Sequence, residues 1–413
     1  MLRIHPFSAL RPRPELAAKL AAVPYDVVNT EEARVLAEGN PLSFLRVSRP
    51  ELELPPDTDP YSAAVYDRAR ANFTALQRDS VLLREATPSL YVYAQEATIS
   101  GKAVRQVGVV TCCHIDDYVN EVIKKHEKTR KEKEDDRTRA TLALHANSGP
   151  VFLMYERTQP ISALVDAVVQ GAPLYDFTSV DGVKHTIWRA SDPAALVAAF
   201  AQVKTAYVAD GHHRSASAAR AGAELRAQNP GHTGQEEYNW FLCVLFPADM
   251  LTILPYHRLV KDLHGLSVDA FLAALRKVGS LEPTQKPEPE STGAFGVFVG
   301  GQWYRLTLPS SSIDLRDPVG SLDYVLLSDR VLTPILGIGD IRTDKRIDFV
   351  GGIRGPRELE RRVGTGECAV AFAMHATTMK QLMQVADAGE IMPPKSTWFE
   401  PKLRSGLLVH TLD

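Results

Sequence analysis

An apolar run, Thr205-Ala206-Tyr207-Val208-Ala209, passes without a spacer into Asp210-Gly211-His212-His213-Arg214 and then into Ser215-Ala216-Ser217-Ala218-Ala219. A strand has to end, and a helix begin, within those five residues. Asp210 then lies at the carboxyl end of the strand, and the backbone N–H groups that follow lie at a helix N-terminus, which is an anion-binding geometry. Gly211 removes the side chain that would keep a phosphate from the backbone, while His212, His213 and Arg214 add donors and positive charge. The small residues after Arg214 let the helix pack close to the sheet and hold the loop rigid. In the plainer alternative Asp210 only caps the helix and the histidines fill a loop. That alternative explains an Asp-Gly pair better than five such residues in one turn, so the segment is read as a phosphate-handling site with Asp210 able to accept a proton. No metal ligands are assigned, because adjacent histidines on a turn rarely face one metal and no H-x-x-x-H helix completes a set.

A second segment is Val122-Ile123-Lys124-Lys125-His126-Glu127-Lys128-Thr129-Arg130. Residues 121–139 carry eight Lys/Arg and six Asp/Glu, a net charge of only +2, and periodicity alone makes them a solvated face. Against that, two apolar residues run into Lys-Lys-His-Glu-Lys-Thr. This reads as a strand or loop delivering His126-Glu127 to the start of a helix through Asp136-Arg137.

The remaining sequence is ordinary for a folded protein: 413 residues, 45% hydrophobic and 23% charged, enough for at least two packing units. A net charge of −3 gives no general attraction for a polyanion, so nucleic acid is not an expected partner. Met1 to Phe7 contain no signal-peptide core, and no apolar run approaches the roughly 20 residues that span a bilayer. Cys112, Cys113, Cys243 and Cys368 form no C-x-x-C pair, which predicts reduced, buried thiols in a cytoplasmic protein without a membrane partner.

Local patterns predict a helix start at Thr30-Glu31-Glu32, loop from Pro50 to Pro60 because of its four prolines, and a helix from about Tyr61 to Leu76 with Ala64, Val65, Ala69, Phe73 and Leu76 inward. They predict hairpins turning at Ser100-Gly101 and Asp181-Gly182, and a buried strand at 151–155. Strands at 241–246, 295–299 and 370–374 mix with helices around 268–278, 321–331 and 377–385, and 283–293 reads as an exposed loop or linker. Elements in no strict alternation predict an α+β fold with mixed sheets. The expected division is an N-terminal α/β segment (1–110), a central unit with an inserted hairpin and helix (111–240) and a C-terminal α/β region (241–413).

Four segments, Val23-Pro24-Tyr25-Asp26-Val27, Lys125-His126-Glu127-Lys128-Thr129, Ala209 to Arg214 and Met392-Pro393-Pro394-Lys395-Ser396-Thr397, resemble a large bacterial family of unknown function, domain-of-unknown-function family 1015. Its members are often labelled ParB-like regulators, and this resemblance covers essentially the whole chain. The order His126-Glu127, helix, Asp210 to Arg214 also resembles, over the central unit alone, the ParB/sulfiredoxin-like superfamily and in particular its free L-serine kinases. That second resemblance implies that Glu127 acts on the substrate hydroxyl and that Asp210, Gly211, His212, His213 and Arg214 handle the transferred phosphate. It also implies Mg²⁺ bridging phosphate oxygens and water, held by few protein carboxylates. Asp26, Lys125, His126 and Lys395 are further pocket candidates, with loop and cap roles equally open for Asp26 and Lys395. Glu127 and Asp210 are 83 positions apart, unlike in the small kinases, so the inserted hairpin and helix must fold away from the site.

The implied activity is a small-molecule kinase that moves phosphate from ATP, ADP or pyrophosphate to the hydroxyl of free L-serine or a similar metabolite. One alternative is a ParB-like nucleotide- or nucleic-acid-binding regulator without catalysis, which calls for a helix-turn-helix and a basic stripe that the sequence does not display. The other is a metal-dependent phosphohydrolase that uses the histidines. Donor, acceptor and oligomeric state are not specified by the sequence.

Overall fold

Strands and helices in mixed order build the α+β fold that the sequence predicts, in a computed structural model that describes all 413 residues. The chain divides into two units. The first comprises Met1–Thr98, Ala103–Leu251 and Pro401–Asp413, and the second Ile99–Lys102 and Thr252–Glu400.

The first unit is organised by one mixed sheet. From one edge its strands are Ile123–Lys124, Ala206–Asp210, Val151–Tyr155, Trp240–Pro247, Lys102–His114, Tyr91–Ile99, Lys184–Arg189 and Tyr175–Thr178, with Ile4–His5 pairing at the end of Lys102–His114. Ala206–Asp210 runs parallel to Ile123–Lys124 and antiparallel to Val151–Tyr155, which is itself parallel to Trp240–Pro247. The unbroken apolar run at 151–155 suits this interior position, and all five of its residues are buried. Ser100 and Gly101 take the positive φ that the first hairpin turn requires. The second hairpin, at 175–189, occupies the opposite edge of the sheet from Ile123–Lys124. Positions near 110 and 240, expected as boundaries, lie on neighbouring strands of this sheet, where Val110 pairs with Val244.

The helix His212–Gln228 buries Ser215 to Ala219 together with Ala221 and Gly222, so its small-residue face is the packed one. The helix expected from Tyr61 runs Ala63–Arg78 and buries Tyr66, leaving Ala64 exposed. Pro50 to Pro60 is not loop throughout. Pro50–Glu53 form a 3₁₀ turn with Pro50 at its first position, where no N–H is needed. All four cysteines are buried free thiols, and Cys113 and Cys243 meet across neighbouring strands at 3.3 Å between sulfurs.

The second unit carries an antiparallel sheet in the order Ser280–Pro283, Gln302–Thr307, Ala294–Val299, Val370–Ala373, Tyr256–Val260, Ile347–Gly351. Phe271, Leu275, Phe295 and Phe372 belong to the core on one face. The helix Val268–Val278 has the predicted bounds, whereas the one expected at 321–331 is Asp323–Leu327 followed by a π turn, Ser328–Leu332. The 283–293 stretch joins two strands of this sheet instead of linking the units. No helix of the chain is long and apolar enough to cross a membrane.

Gly222 fixes how closely the His212–Gln228 helix sits on its neighbours. A Cβ there would lie 2.4 Å from the Tyr238 carbonyl oxygen and 2.7 Å from Ile115 Cδ1. Alanine gains up to about 1 kcal/mol in helix propensity, but overpacking against backbone costs about 1–3 kcal/mol. Gly222→Ala is expected to lower the urea unfolding free energy by about 1–2 kcal/mol, and an unchanged or raised value would contradict this packing.

Candidate active site

The strand Ala206–Asp210 reaches the loop through an irregularity: Val208 pairs with Leu153 but Asp210 with the next residue, Phe152, leaving Ala209 as an extra residue. Such a bulge re-aims the side chain that follows it. Gly211 caps the helix with φ +97°, a left-handed conformation that disfavours any side chain. Asp210 is therefore not the cap. Its Oδ1 accepts from the Gly211 N–H at 3.0 Å, and the Arg214 guanidinium packs against Gly211 so closely that a Cβ would stand 3.0 Å from its Nε and Cζ.

Two cations meet the Asp210 carboxylate. Lys402 Nζ lies 3.2 Å and Arg214 Nη2 3.5 Å from Oδ2. Burial raises the proton affinity of Asp210, but Lys402 and Arg214 outweigh it and hold the carboxyl well below the usual carboxylate range. A carboxylate so held is a poor proton acceptor at neutral pH. Arg214 Nη2 also stands 3.9 Å from Asp26 Oδ2, and its Nη1 donates to the Pro150 carbonyl oxygen. Sequence reasoning missed Lys402, which has no local signature. Buried Gln95 donates to the Lys402 carbonyl oxygen at 2.9 Å, and Gln106 to that of Pro401 at 3.2 Å.

The second predicted segment arrives as expected, with the loop after Ile123–Lys124 leading to the helix Lys131–Leu144. His126 is buried and its ring meets that of His212 edge-on, centroids 4.5 Å apart. Glu127, more exposed, ends with Oε2 3.9 Å from His212 Nδ1. His213 turns elsewhere, its Nε2 accepting from the Arg130 backbone N–H at 3.1 Å. Burial pushes all three histidines below their ordinary value, His126 to about 4.

Of the other candidates, Asp26 stands at the edge of the Arg214 cluster. Lys125 turns to Glu121 at 2.5 Å and lies over the Tyr118 ring. Lys395 belongs to the second unit, where its Nζ lies 3.5 Å from the Tyr256 hydroxyl. Beside the loop lies a cavity of about 50 Å³ whose lining includes Tyr25, Arg137, Ser148, Gly149, Arg214 and Ser405. No group of three or more His, Cys, Asp or Glu in the chain could hold a metal ion.

Fold and site thus define an α+β protein whose strand-to-helix turn presents backbone donors, a compensated carboxylate and a second carboxylate nearby. The chain belongs to the family described as protein of unknown function (DUF1015), whose profile matches residues 4–325. No curated protein matches it. Among solved structures it is similar to a free serine kinase in complex with AMP, at 13% identity and TM-score 0.34, covering 71% of this chain and 86% of that one. It is also similar to SbnI from Staphylococcus aureus, at 12% identity and TM-score 0.36, covering 73% and 87%. A conserved hypothetical protein from Pyrococcus furiosus aligns at 14% identity and TM-score 0.34, covering 74% and 95%.

The buried histidines make stability pH-dependent with a definite sign. The unfolded chain binds a proton at His126 near pH 6.5, whereas the folded chain resists until about 4. The stability from neutral His126 is therefore fully present above pH 6.5 and lost as pH falls toward 4, by about 3 kcal/mol. Urea unfolding at pH 7.0 and 4.5 should show a clearly smaller acid loss in His126→Gln than in the wild type. Equal losses would mean that His126 is not held neutral.

Proposed function

We propose that the chain is a small-molecule kinase that moves a phosphoryl group from ATP, ADP or pyrophosphate to the hydroxyl of free L-serine or a similar metabolite. The observation that supports this best is the meeting of Glu127, from one segment, with a helix N-terminus that lacks a side chain at position 211. Phosphoryl transfer requires mainly positioning and charge neutralisation, together with a carboxylate in reach of the attacking hydroxyl. In this reading Glu127 takes the hydroxyl proton as the hydroxyl oxygen bonds to phosphorus and the bond to the leaving phosphate oxygen breaks. The phosphate approaches over Gly211 and is met by the backbone N–H groups of His212 and His213 at the helix N-terminus and by the charge of Arg214. Asp210, kept ionised, orients Arg214 and Lys402 and is not the base. His212, held neutral by burial, presents Nδ1 toward Glu127 without competing for its proton.

Mg²⁺ implied by the kinase resemblance would be carried mainly by the donor's phosphates and water, Glu127 and Asp26 are the carboxylates that would help to hold it, and it would supply charge neutralisation there. The choice of serine rests on the resemblance of the two motifs to the free L-serine kinases. The regulator reading gains no support from the charged segment, whose net charge is only +2 and three of whose cations have local carboxylate partners. Lys131 pairs with Asp135, Arg137 with Asp136 and Lys125 with Glu121.

Incubating the protein with L-serine, Mg²⁺ and, separately, ATP, ADP and pyrophosphate should yield O-phosphoserine by phosphorus NMR with at least one donor. Glu127→Ala should lower the rate by about 10²–10⁴-fold, as expected on losing a general base. Product formed equally well by Glu127→Ala would remove Glu127 from the chemistry, and no product with any donor would remove serine as acceptor.

A further inference from the structure

The cavity beside the loop is built almost as one would build a pocket for an oxyanion. Its lining contains two arginines, Arg137 and Arg214, and serine, threonine and asparagine side chains, but no acidic residue. Arg137 is fixed in advance: Nε and Nη2 lie 2.9 and 2.7 Å from Asp136 Oδ2, and the guanidinium stacks 4.1 Å over the Tyr25 ring. Asp136 is in turn held by the Tyr66 hydroxyl at 2.9 Å. These contacts leave Nη1 of Arg137 uncommitted. Arg214 keeps Nε buried without a hydrogen bond, and its Nη2, also without one, is balanced only at ion-pair distance by Asp210 at 3.5 Å and Asp26 at 3.9 Å, which leaves hydrogen-bonding capacity that an acceptor would fill. Space is preserved by Gly149, where a Cβ would stand 2.9 Å from Ser405 Oγ. A water needs roughly 10–15 Å³ of such space, so about 50 Å³ accepts three or four waters or one carboxylate or phosphate group. It is too small for a nucleobase.

We infer that this cavity is a second oxyanion subsite, so that the ligand carries two anionic groups, one on the loop at Gly211 and His212 and the other between Arg137 and Arg214. The inference rests on the reading of the loop as a phosphate site. The second oxyanion is supplied either by a carboxylate on the acceptor or by a second phosphate of the donor. Both meet the same donors, because guanidinium forks bind carboxylate and phosphate alike.

Calorimetric titration of the full chain separates the sources. L-serine is compared with ethanolamine, which has the same hydroxyl and amine without the carboxylate, and pyrophosphate with inorganic phosphate. At least one two-group probe should bind ten-fold or more tighter than its partner. Arg137→Gln and the cavity-filling Ala140→Leu, each checked for a wild-type melting profile, should reduce that probe to its partner's affinity. The second variant guards against Arg137→Gln failing to fold. A preference for L-serine identifies the acceptor's carboxylate, and a preference for pyrophosphate identifies the donor. If phosphate binds the wild type but neither pair shows a preference, or both variants keep it, the subsite is refuted while the loop reading survives. If phosphate does not bind the wild type at all, the loop reading fails and the inference falls with it.

Discussion

The Asp210 carboxylate, held between Lys402 and Arg214, is the interaction on which the site depends. Lys402 and Arg214 side chains are both close to nine-tenths buried, and cations at such depth are tolerated only when paired. Removing Asp210 would leave two buried cations facing each other, so its first duty is to the fold of the loop. The arrangement also ties the C-terminal segment of the first unit to its central sheet. Lys402 comes 192 positions after Asp210, and its place is set by backbone acceptance from Gln95 and Gln106, polar residues buried in the central sheet. Arg404 continues the same tether by pairing with Asp181 in the second hairpin. The hairpin inserted between Glu127 and Asp210 thus serves the site without entering it.

The adjacent histidines act separately for a geometric reason. They are the first two residues of a helix, and successive helical side chains point in directions about 100° apart. His212 turns inward onto His126, while His213 turns to the Arg130 backbone. Neither orientation leaves the pair facing one metal. Burial keeps both neutral, so the positive charge at the loop comes from Arg214, from Lys402 and from the helix N-terminus.

What could be read from the sequence was what depends on local pattern. Strand, turn and small-residue helix around Asp210 followed from five residues of abrupt chemistry, and the hairpin at 100–101 from its glycine and flanking apolar runs. Local errors had local causes. Proline at the first position of a 3₁₀ turn is compatible with helical φ, and Tyr66 buries its ring while still reaching Asp136 with its hydroxyl, so a polar-tipped residue took the inward place assigned to Ala64. Lys402 and Arg137 were not legible as site residues because nothing near them in sequence marks them. Lys402 is placed by contacts spanning about three hundred positions, and Arg137 sits in a run whose composition describes a solvated face.

The same charged run explains how Glu127 comes to be aimed. Three of its eight cations pair with acids one to four residues away and the run has a net charge of only +2, so charge alone gives it no strong pull toward Asp210. The directional constraint is packing. Ile123 is fully buried and its two-residue strand is locked in parallel register to Ala206 and Tyr207, while His126, three residues on, is buried against His212. With the chain pinned at both points, Glu127 has to emerge beside the helix N-terminus on the less buried side. A carboxylate with a two-fifths exposed side chain is thereby brought to the loop by its buried neighbour.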